Sequence, residues 1–509
     1  MPLDTATRAT APSASRLLDE FLTLRDDVLR EGRTIVHSWG RIERRAFRIS
    51  AHNLAHYLAL RQHDLRELQI RLMPWGLSSL GRLESRVEAS LDAVALALAH
   101  LTGRPVPIDV RPASAPRFFR GERLLERNAA CLFGPMSNSP RHVHIMATLP
   151  KEAAEDDQLL IDLLARGVNA VRINCTHGNP MVWERMIARL RAAEQVTGRR
   201  AKVLMDLAGP KLRTGQIVDF GERLREDSLV LLAPACLPDS VEYPFQATVE
   251  PAEVIDRVEL GERLWIDDGK VGLIAEERIP EGLLARVVQI DPRGFQLKPE
   301  KGINLPDTAL GLPPLTSKDL QDLDFVAAHA DLIGYSFLNS PADIELLQNQ
   351  LAARRPVDWR RIGLVAKIET PRALTDLPAI ILAAARRQPF AIMIARGDLA
   401  VEIGFERLAE MQEEILWLAE AAQVPVIWAT QVLEQLVKKG FPTRGEMTDA
   451  AMAARAECVM LNKGPFVNRA VEALDRLLVR MAEHQSKKTS RMRALKSWHS
   501  PVALAETKD

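Results

Sequence analysis

From about His142 onward the chain repeats one pattern: a short apolar run that ends abruptly in polar residues, then in most cases an amphipathic helix. The runs are VHIMAT, AVRINC, AKVLMDL, DLIGYSF, GLVAKI, AIMIARG, PVIWAT and CVMLNK, and segments such as DDQLLIDLLARG and ERLAEMQEEILWLAEAAQ separate them. Continuous apolar runs of this length suit parallel strands buried on both faces. Eight of them alternating with helices predict an α/β chain built as a closed (β/α)8 TIM barrel rather than an open doubly wound sheet. No GxGxxG follows any run, which removes the dinucleotide-binding alternative.

The rhythm breaks once. Between Thr214 and Asn304 the helical period gives way to short alternating runs and turn signals, clearest in LWIDDGKVGLIAEE, a hairpin turning at Asp267, Asp268 and Gly269. This predicts an all-β lid inserted after strand 3, placed to close over the barrel mouth. The expected division is an N-terminal helical domain plus linker (1–120), the barrel (135–214 and 304–485), the lid (215–303) and a tail (486–509). The helical assignment rests on SRLLDEFLTLRDDVLR and SRVEASLDAVALALAHL, each with one apolar stripe. His52, His56 and His63 are expected on the outside. His52 and His56 stand at i, i+4, but no HExxH pattern accompanies them, so surface or capping roles are favoured over a metal. GRPVPIDVRPASAPRFFRG reads as a linker.

Charge excludes some functions. Lys plus Arg equals Asp plus Glu, at 67 each, so no global field favours nucleic acid or an anionic membrane. Cys131, Cys175, Cys236 and Cys458 form no CxxC pair, and a reducing cytoplasm is the default. No apolar run is long enough to span a bilayer. The opening MPLDTATRATAPSASR lacks the apolar core of a secretory signal; a transit peptide is the weaker reading beside a floppy terminus.

Polar residues gather at one end of nearly every predicted strand: Arg172, Asn174, Thr176 and His177; Asp206, Lys211 and Arg213; Ser336; Lys367 and Glu369; Gly397 and Asp398; Thr430. Singly, Asp398 and Thr430 could be helix caps and Glu369 part of a turn. Jointly they predict a site at the barrel mouth. Glu369 and Asp398 suit Mg²⁺, which is seldom held by protein ligands alone. Arg172 and Lys367 would face charge that grows during a phosphoryl or enolate reaction. Gly397 would let backbone N–H groups approach a substrate carboxylate.

From about Arg141 to Val467 the chain resembles the pyruvate kinase family, through RINCTHG, MDLAGPKLRTG, KGINLP, AKIE, MIARGDLAVEIG, ATQVLE and PTRGEMTDAAMA in that order. The resemblance implies phosphoryl transfer from phosphoenolpyruvate to ADP, giving pyruvate and ATP. It implies Mg²⁺ (or Mn²⁺) on Glu369 and Asp398, with Lys367 and Arg172 stabilising the phosphoryl group. Gly397, Asp398 and Thr430 would line the substrate, Thr430 on the proton route. His177, Arg213 and Lys301 would meet nucleotide phosphates, and Asp268 matches the lid's active-site aspartate. A cytoplasmic homo-oligomer is expected, with no nucleic-acid or membrane partner.

Departures from the family pattern carry expectations too. Many members read DTKGPEIRTG where this chain reads DLAGPKLRTG, and they use K⁺ near the positions of Asn174, Thr176, Asp206 and Leu207. Leu207 and Lys211 are what K⁺-independent members show, so a fixed ammonium is expected to replace the ion. TLPKEA after the first strand and MLNKGPFV after the eighth differ from the family turns on the nucleotide side, and Ala208 replaces a polar residue. No segment resembles the family's C-terminal effector domain, so regulation through it is expected to be absent. Two competing readings stay open: a metal-dependent lyase or aldolase acting through a pyruvate enolate, and a non-catalytic metabolite-binding protein on a decayed barrel.

Overall fold

All eight apolar runs form strands of one closed parallel barrel, and the break in their rhythm is a separate β sheet. The structure, a computed structural model, describes residues 14–491 apart from 78, 113, 137–139 and 238–241. The opening segment 1–13 and most of the expected tail lie outside the described residues. The barrel begins with β1 (His144–Thr148), β2 (Ala170–Asn174) and β3 (Lys202–Asp206). The inserted sheet follows: β4 (Arg213–Val218), β5 (Leu229–Ala233), β6 (Gln246–Glu250), β7 (Arg263–Ile266), β8 (Val271–Ile279), β9 (Gly282–Gln289) and β10 (Ile303–Asn304). The barrel then resumes with β11 (Leu332–Tyr335), β12 (Gly363–Ile368), β13 (Phe390–Ala395), β14 (Val426–Ala429) and β15 (Cys458–Leu461), and β15 pairs with β1 to close it. Every residue of β13 and β14 is buried, as expected of strands covered on both faces.

Pairing is mostly antiparallel in the inserted sheet, in the order β10-β7-β8-β9-β5-β6-β4, and it has its own apolar core around Val230, Leu232, Leu273 and Val287. Its β7–β8 hairpin turns where the sequence predicts. Asp267, Asp268 and Gly269 take φ of 56, 55 and 84°, a left-handed run that Asp and Gly tolerate better than other residues. The sheet reaches the barrel through Asn304, whose side-chain amide donates to Glu402 Oε1 at 2.9 Å.

The N-terminal region is helical: α1 (Ala14–Ser38), α2 (Arg48–Leu60), α3 (Arg66–Leu72), α4 (Val87–Thr102), α5 (Ala115–Phe118) and α6 (Arg120–Phe133). Its apolar stripes merge with the outer layer of the barrel into one continuous core. Asn53 couples the two, donating to the carbonyls of Glu84 and of Ala421 at the end of a barrel helix. The segment expected to be a linker is pinned: Arg25, 2 % exposed, bonds Asp92 at 2.8 Å and Asp109 at 2.7 Å. The expectation for His56 is corrected. It is buried against α1, close enough that a Cβ at Gly32 would clash with its ring, and burial lowers its pKa to about 4.

Helix α6 spans Arg120–Phe133, and its C-terminal end plugs the barrel. Leu132 and Phe133 pack with the inward side chains of Met146, Leu204, Leu332, Val365, Met393 and Ile427. A β/α barrel is a packed core that needs filling at its N-terminal end. Phe133→Ala is expected to lower stability by about 3–5 kcal/mol, because the cavity left by a fully buried ring cannot collapse. Urea denaturation checks this, and a loss under about 1 kcal/mol would mean that α6 is not part of the barrel core.

Candidate active site

Register brings the polar strand ends together. Asn174 pairs with Asp206 across β2 and β3, Thr148 with Arg172 across β1 and β2, and Lys367 with Met393 across β12 and β13. At the centre lies Asp206, 1 % exposed. Its Oδ2 accepts from Arg172 Nε at 2.8 Å and, more closely still, from Nη2, and it lies 3.5 Å from Lys367 Nζ. Burial alone would raise the Asp206 carboxyl, but the charges of Lys367 and Arg172 outweigh it and hold its pKa below the ordinary value. Gly334 on β11 has no room for a side chain, since a Cβ there would sit 2.3 Å from Asp206 Oδ1.

Lys367 is held on three sides. It donates to Ser336 Oγ at 2.7 Å, meets Glu369 Oε1 at 3.0 Å and faces Asp206. Burial opposes its charge, yet the two carboxylates raise its pKa, so it stays an ammonium. Glu369 accepts the Phe337 N–H at 2.7 Å. Burial raises its pKa and repulsion from Asp398 adds to the rise, against the pull of Lys367. Two carboxylates that repel each other, one of them 2 % exposed, are a set that a divalent cation would relieve.

Lys211 does not reach toward Asp206. Its ammonium bonds Asp398 Oδ1 at 2.7 Å and approaches Asp268 of the lid at 3.7 Å. Asn174, Thr176 and Asp206 do converge: Asn174 Oδ1 accepts the Thr176 N–H, and the Cys175 N–H donates to the Asp206 carbonyl. Of the three polar groups there, Asp206 Oδ1 is buried without a hydrogen-bond partner. Leu207 beside it is fully apolar and 1 % exposed.

Thr430 sits in a strained turn, where Thr430, Gln431 and Leu433 all have left-handed φ of 62, 57 and 49°. Arg396 clamps it. Its guanidinium donates to the carbonyls of Ala429 and Thr430 and pairs in a fork with Asp449, whose Oδ2 is 3.0 Å away. The Gly397 N–H donates to Thr430 Oγ1 at 3.0 Å. A Cβ at Gly397 would meet only Thr430, at 3.9 Å, so the glycine keeps open a space the protein does not fill.

On the opposite rim, His177 follows β2. Burial lowers its pKa, and Lys463, Arg213 and Arg172 lower it further, which places four basic groups in one neighbourhood. Lys301 Nζ lies 2.9 Å from Asp267, and Arg213 donates to the Glu300 carbonyl.

Supporting residues escaped the sequence reading. Asp319 Oδ1 accepts the N–H groups of Ala208 and Gly209 and so fixes the loop carrying Lys211. Lys318 donates to the Cys175 carbonyl at 2.8 Å. Glu402, whose pKa burial pushes up to about 7, links α-helix and lid through Asn304. A capping signature, Thr316 with Asp319, was visible in the sequence; the second use of Asp319 was not.

The fold and this mouth define a β/α-barrel protein with an inserted β lid and a mixed cation–carboxylate site. Residues 140–466 match the family model described as pyruvate kinase, barrel domain. The chain is 32% identical over 344 residues to a pyruvate kinase of Mycobacterium intracellulare, covering 66% of this chain and 69% of that protein. It is 33% identical to one of Corynebacterium glutamicum (67% and 70% covered) and 33% identical to one of Agrobacterium vitis (68% and 71%). The chain belongs to the pyruvate kinase family.

Asp449→Ala is expected to cost about 3 kcal/mol, because it leaves the buried Arg396 guanidinium without its carboxylate. Denaturant titration checks this, and an unchanged midpoint would mean the two backbone carbonyls suffice to hold Arg396.

Proposed function

We propose that the chain is a pyruvate kinase, transferring a phosphoryl group from phosphoenolpyruvate to ADP with a divalent metal at Glu369 and Asp398. The observation that carries the reading is the immobilised Lys367 ammonium. It is buried, hydrogen-bonded to Ser336 and flanked by Asp206 and Glu369 at the end of the barrel where chemistry sits. Phosphoryl transfer asks little of a protein beyond positioning and charge neutralisation. Lys367 and Arg172, both anchored on Asp206, would hold their charges in place without reorganising as the phosphoryl group moves.

Glu369 and Asp398 would hold Mg²⁺ or Mn²⁺, with substrate oxygens and water completing its shell. When bound, the metal would neutralise charge on the carboxylate and phosphoryl oxygens. Thr430 Oγ1 accepts the Gly397 N–H, which leaves its own hydroxyl proton free to be passed, through water, to the enolpyruvate carbon. His177, Arg213 and Lys301, joined by Lys463, would receive the nucleotide phosphates. The lid would close over them and exclude water.

Lys211 would supply the fixed charge that replaces K⁺, acting on Asp398 and the lid's Asp268 rather than on Asp206. Leu207 offers no hydroxyl to a cation, which favours this reading. The partnerless Asp206 Oδ1 favours a retained K⁺ site instead. The cytoplasm and a homo-oligomer are the expected setting. Among the described residues no helix is long and apolar enough to cross a membrane.

Turnover with phosphoenolpyruvate, ADP and Mg²⁺ is expected in the wild type, and Lys367→Met is expected to reduce it roughly 10²–10³-fold, the cost of losing one preorganised charge. Consumption of phosphoenolpyruvate without ADP would instead support the lyase reading, and no turnover of any kind the non-catalytic one. Replacing K⁺ by tetramethylammonium is expected to leave the rate within about twofold; a loss of tenfold or more would show that Lys211 does not substitute for the ion.

A further inference from the structure

We propose that the groove between the starts of α2 and α6 binds a small, multiply charged anion, a phosphate ester or polyphosphate, at the end of the barrel opposite its mouth. The groove encloses about 680 Å³ and is lined by Arg45, Arg120, Arg123 and Arg127 with Ile49 and Leu124. No carboxylate among the described residues lines it. Other arginines of this helical region are held by partners: Arg71 pairs with Glu20, Arg86 with Glu122, and Arg117 with Glu88 and Asp92, while Arg48 donates to the Ile42 carbonyl and Arg61 to the Tyr57 hydroxyl. Among the described residues none of the four groove arginines pairs with an acid, and the Arg123 side chain donates to the Pro116 carbonyl. Arg44, half-buried behind Arg45, also has no carboxylate among them. Burial holds its pKa below the ordinary value, and Arg127 adds repulsion.

In a chain whose formal charges cancel, four exposed arginines side by side make a local positive excess that attracts anions. Forked guanidiniums match phosphate oxygens better than lone ammonium groups do. The volume falls within the range of small-ligand pockets, and Ile49, 40 % exposed, offers apolar surface to an organic body. No aromatic side chain among the described residues lines the groove to stack a nucleic-acid base, and its concavity suits a compact ligand better than a flat membrane. Because α6 runs from these arginines to the barrel plug at Phe133, an occupied groove would load the same helix that closes the barrel.

Calorimetric titration of the full-length protein with inorganic tripolyphosphate tests the proposal. Wild type is expected to show two classes of site, the mouth and the groove. Arg45→Gln/Arg120→Gln/Arg127→Gln should lose one class, or weaken it at least tenfold, while keeping turnover. Arg213→Gln/Lys301→Gln should lose the other. A glycerol phosphate arm separates organic esters from free polyphosphate: groove binding dependent on the same arginines identifies an ester, and binding by tripolyphosphate alone a polyphosphate. If the triple variant proves unfolded by circular dichroism, Arg127→Gln alone should still weaken the groove class measurably. Titration curves for the groove variants that match wild type overturn the proposal. So does arginine-dependent binding to anionic vesicles or single-stranded RNA with no response to either small anion.

Discussion

One buried carboxylate organises the mouth of this barrel. Asp206 ends β3 under Arg172 and Lys367, and without it two cations would face each other in a region nearly closed to water. With it, the pair becomes a rigid assembly carrying excess positive charge toward the mouth. Removing a carboxylate from water is expensive, and only well-placed partners offset that cost. Here the offset is large enough to leave Asp206 more acidic than a free side chain. The neighbouring packing follows: Gly334 must lack a side chain to leave Asp206 room, and Ser336 donates its hydroxyl to the Leu207 carbonyl so that its oxygen accepts from Lys367.

The Glu369–Asp398 side is arranged on the opposite principle. Glu369 and Asp398 are kept within each other's field, and each is given one lysine, Lys367 and Lys211. Beside them the Thr430 turn stores backbone strain that Arg396 and Asp449 hold in place. Rigid charge and one strained turn thus sit at the ends of strands that are themselves buried along most of their length. A β/α barrel favours this, because its loops vary freely while the strand ends stay fixed.

The N-terminal helices are part of the same packing unit in space. Their core continues into the barrel's outer helices, and α6 fills the barrel floor. One end of the barrel is therefore closed by a helix that residues 140–466, the part matched by the family model, do not include. The arginine groove lies at the start of that helix, so its charge and the barrel's closure are joined by a single rigid element.

Much of this was legible from the chain alone, for a physical reason. A buried parallel strand must be apolar along its length and a helix must show one stripe, so the eight strands and the lid's hairpin could be read as local patterns. The polar strand ends could be read for the same reason, since a polar residue after such a run has only the mouth to face. Pairings between distant residues could not. Nothing local says that Lys211 turns to Asp398 instead of Asp206, that the Gly397 N–H is taken by Thr430, or that Asp319 holds the loop at Ala208. His56 stands on a helix whose polar residues suggested an outside face, but the close approach of α1 at Gly32 buries it. Residues 120–133 look like any charged amphipathic helix, and only the open floor of the barrel makes them a plug. Periodicity is a property of neighbours along the chain, and the sequence carries it; partnership between charges depends on which ends the folded barrel brings together, and only the tertiary structure decides that.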